Sequence, residues 1–471
     1  VIAAFNLLLA IPTVWLLWRS LDWPLVGDAS IFHFIANQMA MGAVPYRDIA
    51  DVNMPLTYDI QAAIVTLGGM SDAAWRAFDL AAAALLSAGI LTLVWPAGRA
   101  EAVLAVLTVL LMHLLLGRYA AGQRDFVMAI PALGVAWASV RAAEDRRSQQ
   151  ALLALAGAFA MTAALIKPSG IVLLALPALA LPDLVMKLDW RRLLWIAAGA
   201  LAVALGEFGL LAARGGLPAF VTMILDVLPA YADMGAQPPL EVLKAVHWIG
   251  PVGGLAVAAV LGIGIPKSPR VRVLIGLTVF GLIHLMVQRK GWLYHIYPLG
   301  VGLACWGAFA LSALPLRRVL LSLAVVAAIL GWSVPASMSQ DENDPAFRSS
   351  VAMESALERR LPRGARVQML DSDSGAFRAM ARAGMRQATP HIQWFSLLLG
   401  TEDVRQEFLS ALRTDPPDGF LLTNNQWPKE AGFEAADDWK ELAGLLRSRY
   451  DLAQTGQDEF IQWRLYVRRR Q

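Results

Sequence analysis

Residues Trp23–Leu56 read WPLVGDASIFHFIANQMAMGAVPYRDIADVNMPL and follow, after Arg19–Asp22, an apolar run over residues 1–18. The stretch carries Asp28, His33, Arg47, Asp48 and Asp51, then closes on Met54-Pro55-Leu56, where apolar sequence resumes. Ionisable side chains at or below a bilayer interface are costly, and they concentrate at functional positions. If the flanking runs cross a membrane, residues 19–54 form a loop at its surface.

Composition places the chain in a membrane. Of 471 residues, 57% are hydrophobic and 16% charged, against roughly 25% charged in soluble globular chains. The single Cys305 lies in an apolar run and excludes an internal disulfide framework. The net charge of +3 is small, and the basic residues fall mostly between apolar runs. That pattern suits membrane topology, and no nucleic acid is expected as partner. Zinc-type cysteine/histidine spacing, a Walker loop and a dinucleotide fingerprint are all missing from the sequence. Residues 1–18 lack a small-residue cleavage site, so they read as a retained first span.

Twelve apolar segments run at about 1–18, 55–69, 73–95, 101–117, 126–142, 151–166, 169–186, 193–213, 242–264, 272–288, 293–313 and 318–336. A span takes about 20 apolar residues, so the shortest are borderline. Trp15, Trp18, Trp95, Trp248 and Trp292 stand near segment ends, as interfacial aromatics do. Four basic clusters set the orientation: Arg141/Arg146/Arg147, Lys187/Arg191/Arg192, Lys267/Arg270/Arg272 and Arg317/Arg318. They alternate with the segments so that all fall on one face, the cytoplasmic one. Asp125, Lys167, the 214–241 loop, QRKGWLYH at 288–295 and the tail after 336 then lie outside. Three full crossings after an external 19–54 loop would carry Asp125 inside, so either 55–69 or 101–117 fails to cross. The expectation is a polytopic, multi-pass α-helical membrane protein with about 11 transmembrane helices.

From about residue 340 the sequence turns polar, with SQDENDPAFRSS as the transition. ARVQMLDS reads as a strand, GAFRAMARAGMR as a helix, PPDGFLLTNN as turn then strand, FEAADDWKELAGLLRSR as helical and FIQWRLYVRR as a final strand. Two domains follow: 1–338 in the membrane, and 339–471 as a small C-terminal extracytoplasmic α/β domain, periplasmic or extracellular. The second holds no nucleophile elbow or metal cluster, so it is expected to cover a site or bind a partner.

The outer face collects charge of both signs. Asp28 follows Gly27 at the start of a helical run, where capping that helix is the competing structural role. Asp48 stands beside Arg47, and His33 lies on an amphipathic run where a structural hydrogen bond is its ordinary role. Asp125 adjoins Arg124, Lys167 ends an apolar helix before Pro168, and Arg289 and Lys290 precede Tyr294 and His295. Snorkelling explains one such cation. Several on the face that disfavours Lys and Arg, together with carboxylates, suit an anion site with acid/base chemistry.

These residues carry a resemblance. GDASIFHFIANQMAMGAVPYRDIADVNMPLTYDI resembles the first external loop of the GT-C superfamily, the membrane glycosyltransferases that use polyprenyl-phosphate sugars, through Asp28, Gly42, Pro45, Tyr46, Asp48, Pro55, Leu56 and Tyr58. LGGMSDAAWRAFDL is similar to the element that follows, with Gly69, Trp75 and Arg76, and GRYAAGQRDFVMAI to the second acidic motif, with Asp125. AALIKPSGI resembles a helix end whose lysine meets the lipid phosphate. The motifs lie mainly in residues 27–170, and their order and spacing resemble the bacterial aminoarabinose-transferase and protein-mannosyltransferase branch. Two departures stand out. Asp28-Ala29 replaces the pair of acidic residues that many members carry, and Pro55 alone replaces a common proline pair.

The resemblance implies transfer of a sugar from polyprenyl phosphate to an extracytoplasmic lipid, polysaccharide or protein, with inversion. Polyprenyl phosphate leaves readily, so the chemistry needs a base beside the acceptor and positive charge beside the phosphate. The implied base is Asp28, with Asp125 and then Asp48 as further catalytic carboxylates. Lys167, Arg289 and Lys290 are expected to hold the donor phosphate. Tyr46, Arg47, Tyr58, Arg76, Tyr294 and His295 are candidate acceptor or sugar contacts. No ligand set is assigned, so a divalent metal ion stays open as cofactor. Membrane lipids are expected partners. The rival enzyme is a lipid-linked glycan polymerase or ligase. The rival from another class is a transporter, whose inverted repeats with broken helices are not found in the sequence.

Overall fold

The computed structural model describes residues 1–264, 268–338, 344–371, 374–424, 431–458 and 461–470. Lys267, the polar stretch at 339–343, the Asn425 end of PPDGFLLTNN and the Phe460 start of FIQWRLYVRR lie outside them.

Among the described residues, eight helices are long and apolar enough to cross a membrane: Ile2–Asp22, Asp72–Val94, Arg99–Leu116, Arg124–Glu144, Gln149–Ile166, Trp190–Ala213, Pro269–Gln288 and Leu316–Pro335. Glycine and proline set several of their ends. Arg99–Leu116 lies between Gly98 and Gly117, both at positive φ. Pro269 opens its helix beside Ser268, whose hydroxyl accepts from the Val271 N–H. The chain is thus a multi-pass membrane protein.

The remaining four apolar segments fold differently. Pro55–Gly68 is a helix of 14 residues, whereas Arg99–Leu116 reaches 18. Of the two candidates for the one segment expected not to cross, 55–69 therefore forms the shorter helix. The 169–186 run breaks into a 3-10 turn, Pro168–Ala175, and two short helices, Leu176–Ala180 and Asp183–Met186. Pro168, Pro177 and Pro182 punctuate it. The 242–264 run is a pair bent by 107° at Gly250-Pro251, and counting that pair as one span gives nine. Tyr297–Leu311 is a helix of 15 residues. The figure of about 11 would require some of these short or broken pieces to cross.

The chain forms two compact units that do not follow chain order. The first comprises Val1–Trp23, Arg76–Gly209 and Ala236–Asp341. Its helices approach closely wherever side chains are absent. A Cβ on Gly157 would stand 1.9 Å from the Ile196 carbonyl oxygen, and one on Gly199 would stand 1.8 Å from that of Ala154. Backbones can meet this way only at glycine, a common device between membrane helices.

The second unit comprises Pro24–Trp75, Leu210–Gly235 and Glu342–Gln471. Its core is a five-stranded sheet in the order β2-β1-β3-β5-β4. The strands are β1 (Arg366–Leu370), β2 (Arg386–Gln387), β3 (Gly419–Asn424), β4 (Tyr450–Gln457) and β5 (Gln462–Arg468). β1 pairs in parallel with β2 and β3, while β5 pairs antiparallel to β3 and β4. Sequence reading missed two strands: β2, whose Arg386 stood at the end of the expected helix GAFRAMARAGMR, and β4. In β4, YDLAQTGQ is largely polar and exposed at half of its residues, as suits an edge strand. On one side of the sheet pack Trp394, Phe408, Phe420, Leu442 and Tyr450.

The charged loop belongs to this second unit. Its helix, Asp28–Ala40, packs on the helix Ala376–Arg382, where the rings of Phe34 and Phe377 meet edge-on at 5.7 Å. The Gln38 side chain donates to the Met385 carbonyl at 3.0 Å and accepts from the Gln387 N–H at 3.0 Å. The buried Arg378 pairs with Asp72 at 2.8 Å and lies 3.5 Å from Glu354.

Candidate active site

The first unit places a buried carboxylate among cations and histidines. Asp125 lies in the first turn of the helix Arg124–Glu144, fully buried. Lys167 follows the last residue of Gln149–Ile166, in extended backbone imposed by Pro168, and is 3% exposed. Its Nζ lies 2.9 Å and 2.8 Å from the two Asp125 carboxylate oxygens and donates to the Gln288 Oε1 at 3.3 Å. Ion pairs this deep survive only when both charges are satisfied. His284 supplies a further bond, with Nε2 2.6 Å from the Asp125 Oδ1 and Nδ1 2.7 Å from the Ser169 hydroxyl. A ring protonated on Nε2 donates to Asp125 and accepts from Ser169, which fixes the carboxylate's orientation.

Aromatic rings and a second ammonium surround the pair. The Lys167 Nζ stands 5.8 Å from the Tyr294 ring centroid, and Tyr294 meets His295 edge-on at 5.0 Å. His295 is buried, and that burial, reinforced by Lys167, pushes its pKa well below the ordinary histidine value. At neutral pH it is therefore uncharged. The Lys290 Nζ lies 5.5 Å from the Trp292 ring centroid. Burial first, and the Lys167 charge second, lower its pKa to about 8. Arg289 is exposed and ends the helix Pro269–Gln288 in left-handed backbone, φ 55°.

Asp125, Lys167, Lys290, Tyr294 and His295 thus all stand in the first unit, while Arg289 stays at its surface. Arg76 is in the same unit but in a different cluster: it is buried against Asp79 and the Ser20 hydroxyl. Sequence reading missed His284, Ser169, Asp79 and His113. Single ionisable residues inside apolar runs were the signal that could have found Asp79, His113 and His284.

Asp28, Tyr46, Arg47, Asp48 and Tyr58 belong to the second unit. Asp28 is half-buried and is the first helical residue; Gly27, at φ 65°, occupies the N-cap position. Asp48 is paired with Arg47 at 2.8 Å near the surface and also accepts from the Val44 N–H. The Arg47 hydrogen bond holds its pKa below the usual carboxylate value. The loop's deeply buried carboxylate is Asp51, which accepts from the Tyr58 hydroxyl at 2.6 Å and from the Asn53 side chain at 2.5 Å. Tyr46 has φ 69° and donates to the Asn53 carbonyl. Both tyrosines therefore brace the loop. His33 is buried, and burial lowers its pKa to about 4. Among the described residues, no group of three or more His, Cys, Asp or Glu side chains is arranged to hold a metal ion.

No family model matches the sequence. No curated protein matches it either. Solved structures do. The chain is similar to ArnT from Cupriavidus metallidurans bound to undecaprenyl phosphate, with a TM-score of 0.64 and 17% identity, over 98% of each chain. The apo state of that protein gives a TM-score of 0.63 at 17% identity, over 98% of this chain and 97% of that one. The archaeal oligosaccharyltransferase AglB from Archaeoglobus fulgidus, in complex with an inhibitory peptide and a dolichol-phosphate, gives 0.50 at 13% identity, over 95% of this chain and 72% of that one. The chain therefore has the fold of ArnT, in agreement with the GT-C resemblance carried by residues 27–170.

Proposed function

We propose that the protein transfers a glycosyl unit from a polyprenyl-phosphate-linked donor to an extracytoplasmic acceptor, a lipid, polysaccharide or protein. One observation carries the reading. The buried Lys167–Asp125 pair has a second buried ammonium, Lys290, within electrostatic reach. It stands in a chain with the fold of a protein solved with undecaprenyl phosphate bound.

In the proposed step, an acceptor hydroxyl or amine attacks the anomeric carbon. The new bond forms as the bond from that carbon to the phosphate oxygen breaks. The acceptor proton passes to a carboxylate, and polyprenyl phosphate leaves as an anion, so the sugar inverts. Lys167 and Lys290 receive the developing phosphate charge, with Arg289 at the rim. Such electrostatic stabilisation is worth about 10²–10³ in turnover per donor group. Asp125, oriented by His284, positions the acceptor. The base is assigned to Asp28 on the loop resemblance. Asp48, tied to Arg47 and the loop backbone, has the weaker case. The reaction side is extracytoplasmic on the positive-inside argument, and the bacterial inner (plasma) membrane is assigned on the resemblance.

The test is purified protein in lipid with a panel of labelled polyprenyl-phosphate sugars. Transfer to an envelope acceptor is expected, with weakened donor binding in Lys167→Ala. Asp28→Asn should fold and bind donor yet lose about 10²-fold or more in turnover, because a side chain serving only the helix start tolerates Asn. Wild-type turnover in Asp28→Asn removes the base. Donor affinity unchanged in alanine variants of Lys167, Lys290 and Arg289 alike removes the phosphate site.

A further inference from the structure

A second buried ionic cluster lies in the first unit, apart from the Lys167 pair. Asp79 sits two turns into the span Asp72–Val94 and is fully buried. A lone carboxylate there would be very costly, and such residues are retained for a reason. Arg76, one turn earlier on the same helix, donates to the Asp79 Oδ2 and to the Ser20 hydroxyl, and its guanidinium lies 4.7 Å from the Trp23 ring centroid. The His113 Nε2 stands 3.1 Å from the same Asp79 oxygen. The His113 Nδ1 is 2.7 Å from the Tyr297 hydroxyl. A His113 protonated on Nε2 satisfies both contacts, donating to Asp79 and accepting from Tyr297. Arg76, Asp79, His113 and Tyr297 are each no more than 2% exposed.

The other Asp79 oxygen faces away from this cluster. Oδ1 accepts the N–H of Gly122 at 2.6 Å. Gly122, at φ 63°, ends the turn after Gly117, and Gln123 then takes the N-cap position, in extended backbone, of the helix that carries Asp125 in its first turn. A charged acceptor makes this a strong hydrogen bond in a dry setting. A second link reaches the same turn. The His113 ring stacks on Phe126, the neighbour of Asp125, with centroids 4.3 Å apart and planes 13° apart. The Phe126 ring also meets that of Tyr297 at 5.1 Å. Residues 122 and 126, on either side of Asp125 in the chain, are therefore both held by one cluster.

We infer that Asp79, held by Arg76, His113 and Tyr297, is a positioning residue that fixes the helix start carrying Asp125. The inference rests on the proposed transfer reaction for its kinetic consequence and on the structure alone for its structural one. The cluster reaches Asp125 through the backbone at Gly122 and the ring of Phe126. Misplacing a reacting group by about 1 Å costs on the order of 10²-fold.

The experiment uses the full chain in lipid and reads two things: hydrogen exchange of peptides covering 117–126, and steady-state transfer. Asp79→Asn cuts the charge but risks misfolding, because Arg76 is left without its counter-charge. Tyr297→Phe keeps every charge and removes one hydroxyl. The expected result in Tyr297→Phe is faster exchange confined to 117–126. Turnover should fall by about 10-fold or more while the donor KM stays within about twofold. Folded Asp79→Asn should show the same pattern, larger. Wild-type exchange at 117–126 in both variants overturns the inference. So does faster exchange spread over the whole unit with turnover per folded molecule unchanged, since that marks a purely structural cluster. If the wild type transfers no sugar from any donor, the proposed reaction fails, and the exchange measurement still decides whether Asp79 holds the turn.

Discussion

At Lys167 and Asp125 the structure joins two residues that stand 42 positions apart in sequence. Each was legible by itself, Asp125 as the carboxylate of the second acidic motif beside Arg124 and Lys167 as a cation before a proline. Their pairing was not, because nothing local to either names the partner. His284 stood out only as a lone ionisable residue in the apolar run LIHLMVQ, and nothing there names Asp125 as its partner. Removing one partner of a buried pair leaves a naked charge. Lys167→Met should therefore lower stability by about 3–5 kcal/mol, and Lys167→Met combined with Asp125→Leu should recover most of it. Denaturation of the reconstituted variants reads this, and a strictly additive double variant counts against the pair. Lys290 gives a pH prediction. Its ammonium form attracts phosphate, so donor affinity should fall as pH rises through about 8. Lys290→Arg should flatten that fall, and the same fall in the Arg variant excludes Lys290 as its source. Stability moves the opposite way. Lysine in the unfolded chain titrates near 10.5, so the unfolded chain binds more protons between about 8 and 10.5, and unfolding becomes harder across that window.

Among elements, strands and amphipathic helices of the polar third were readable where burial imposes a pattern. β1 and β3 are buried along nearly their whole length, as central strands are, and carry Val367, Met369 and Leu370, and Phe420, Leu421 and Leu422, respectively. β4, with water on much of its length, carried no such mark. What the sequence could not show is that the helix Asp28–Ala40 belongs with residues 347 and 349 positions away. Gln38 makes that connection, and Arg378 ties Asp72 to the same domain, by side-chain hydrogen bonds that leave no periodic trace. Arg378→Ala would leave Asp72 and Glu354 facing each other. Asp72 keeps part of its solvent contact, with a side chain 32% exposed. The expected loss is therefore about 2–4 kcal/mol, below the fully buried range. Faster hydrogen exchange should appear in peptides over 24–75 as well as in the C-terminal sheet. Loosening confined to the sheet would separate the loop from the domain.

For the whole molecule, composition alone gave the membrane class, and the order of motifs in residues 27–170 gave the fold. The crossing count was less legible. Apolar length was visible, but Pro168, Pro177, Pro182 and Pro251 convert apolar length into broken or bent pieces. The expected orientation has a direct test. Cys305 is buried, so impermeant maleimide should report only introduced cysteines. Cysteines at Gln149 and Leu188 should label from the cytoplasmic side, and one at Glu434 from the outside. Labelling of all three from one side would refute the alternation of basic clusters.

The glycine contact between Gln149–Ile166 and Trp190–Ala213 bears on how this protein could be engineered. A standard way to stiffen a helix is to replace its glycines by alanine, for a gain of about 0.4–1 kcal/mol each. Within Trp190–Ala213 that advice divides. A methyl group added at Gly206 or Gly209 would meet nothing within 4 Å, and there the gain should be realised. Gly199 faces the Ala154 backbone, as Gly157 faces Ile196. Alanine at either would push the helix that precedes Lys167 away from Trp190–Ala213. Thermal scans of Gly206→Ala and Gly199→Ala should therefore move in opposite directions. A stabilisation campaign guided by helix propensity alone would treat the two sites as equivalent and lose at one what it gained at the other.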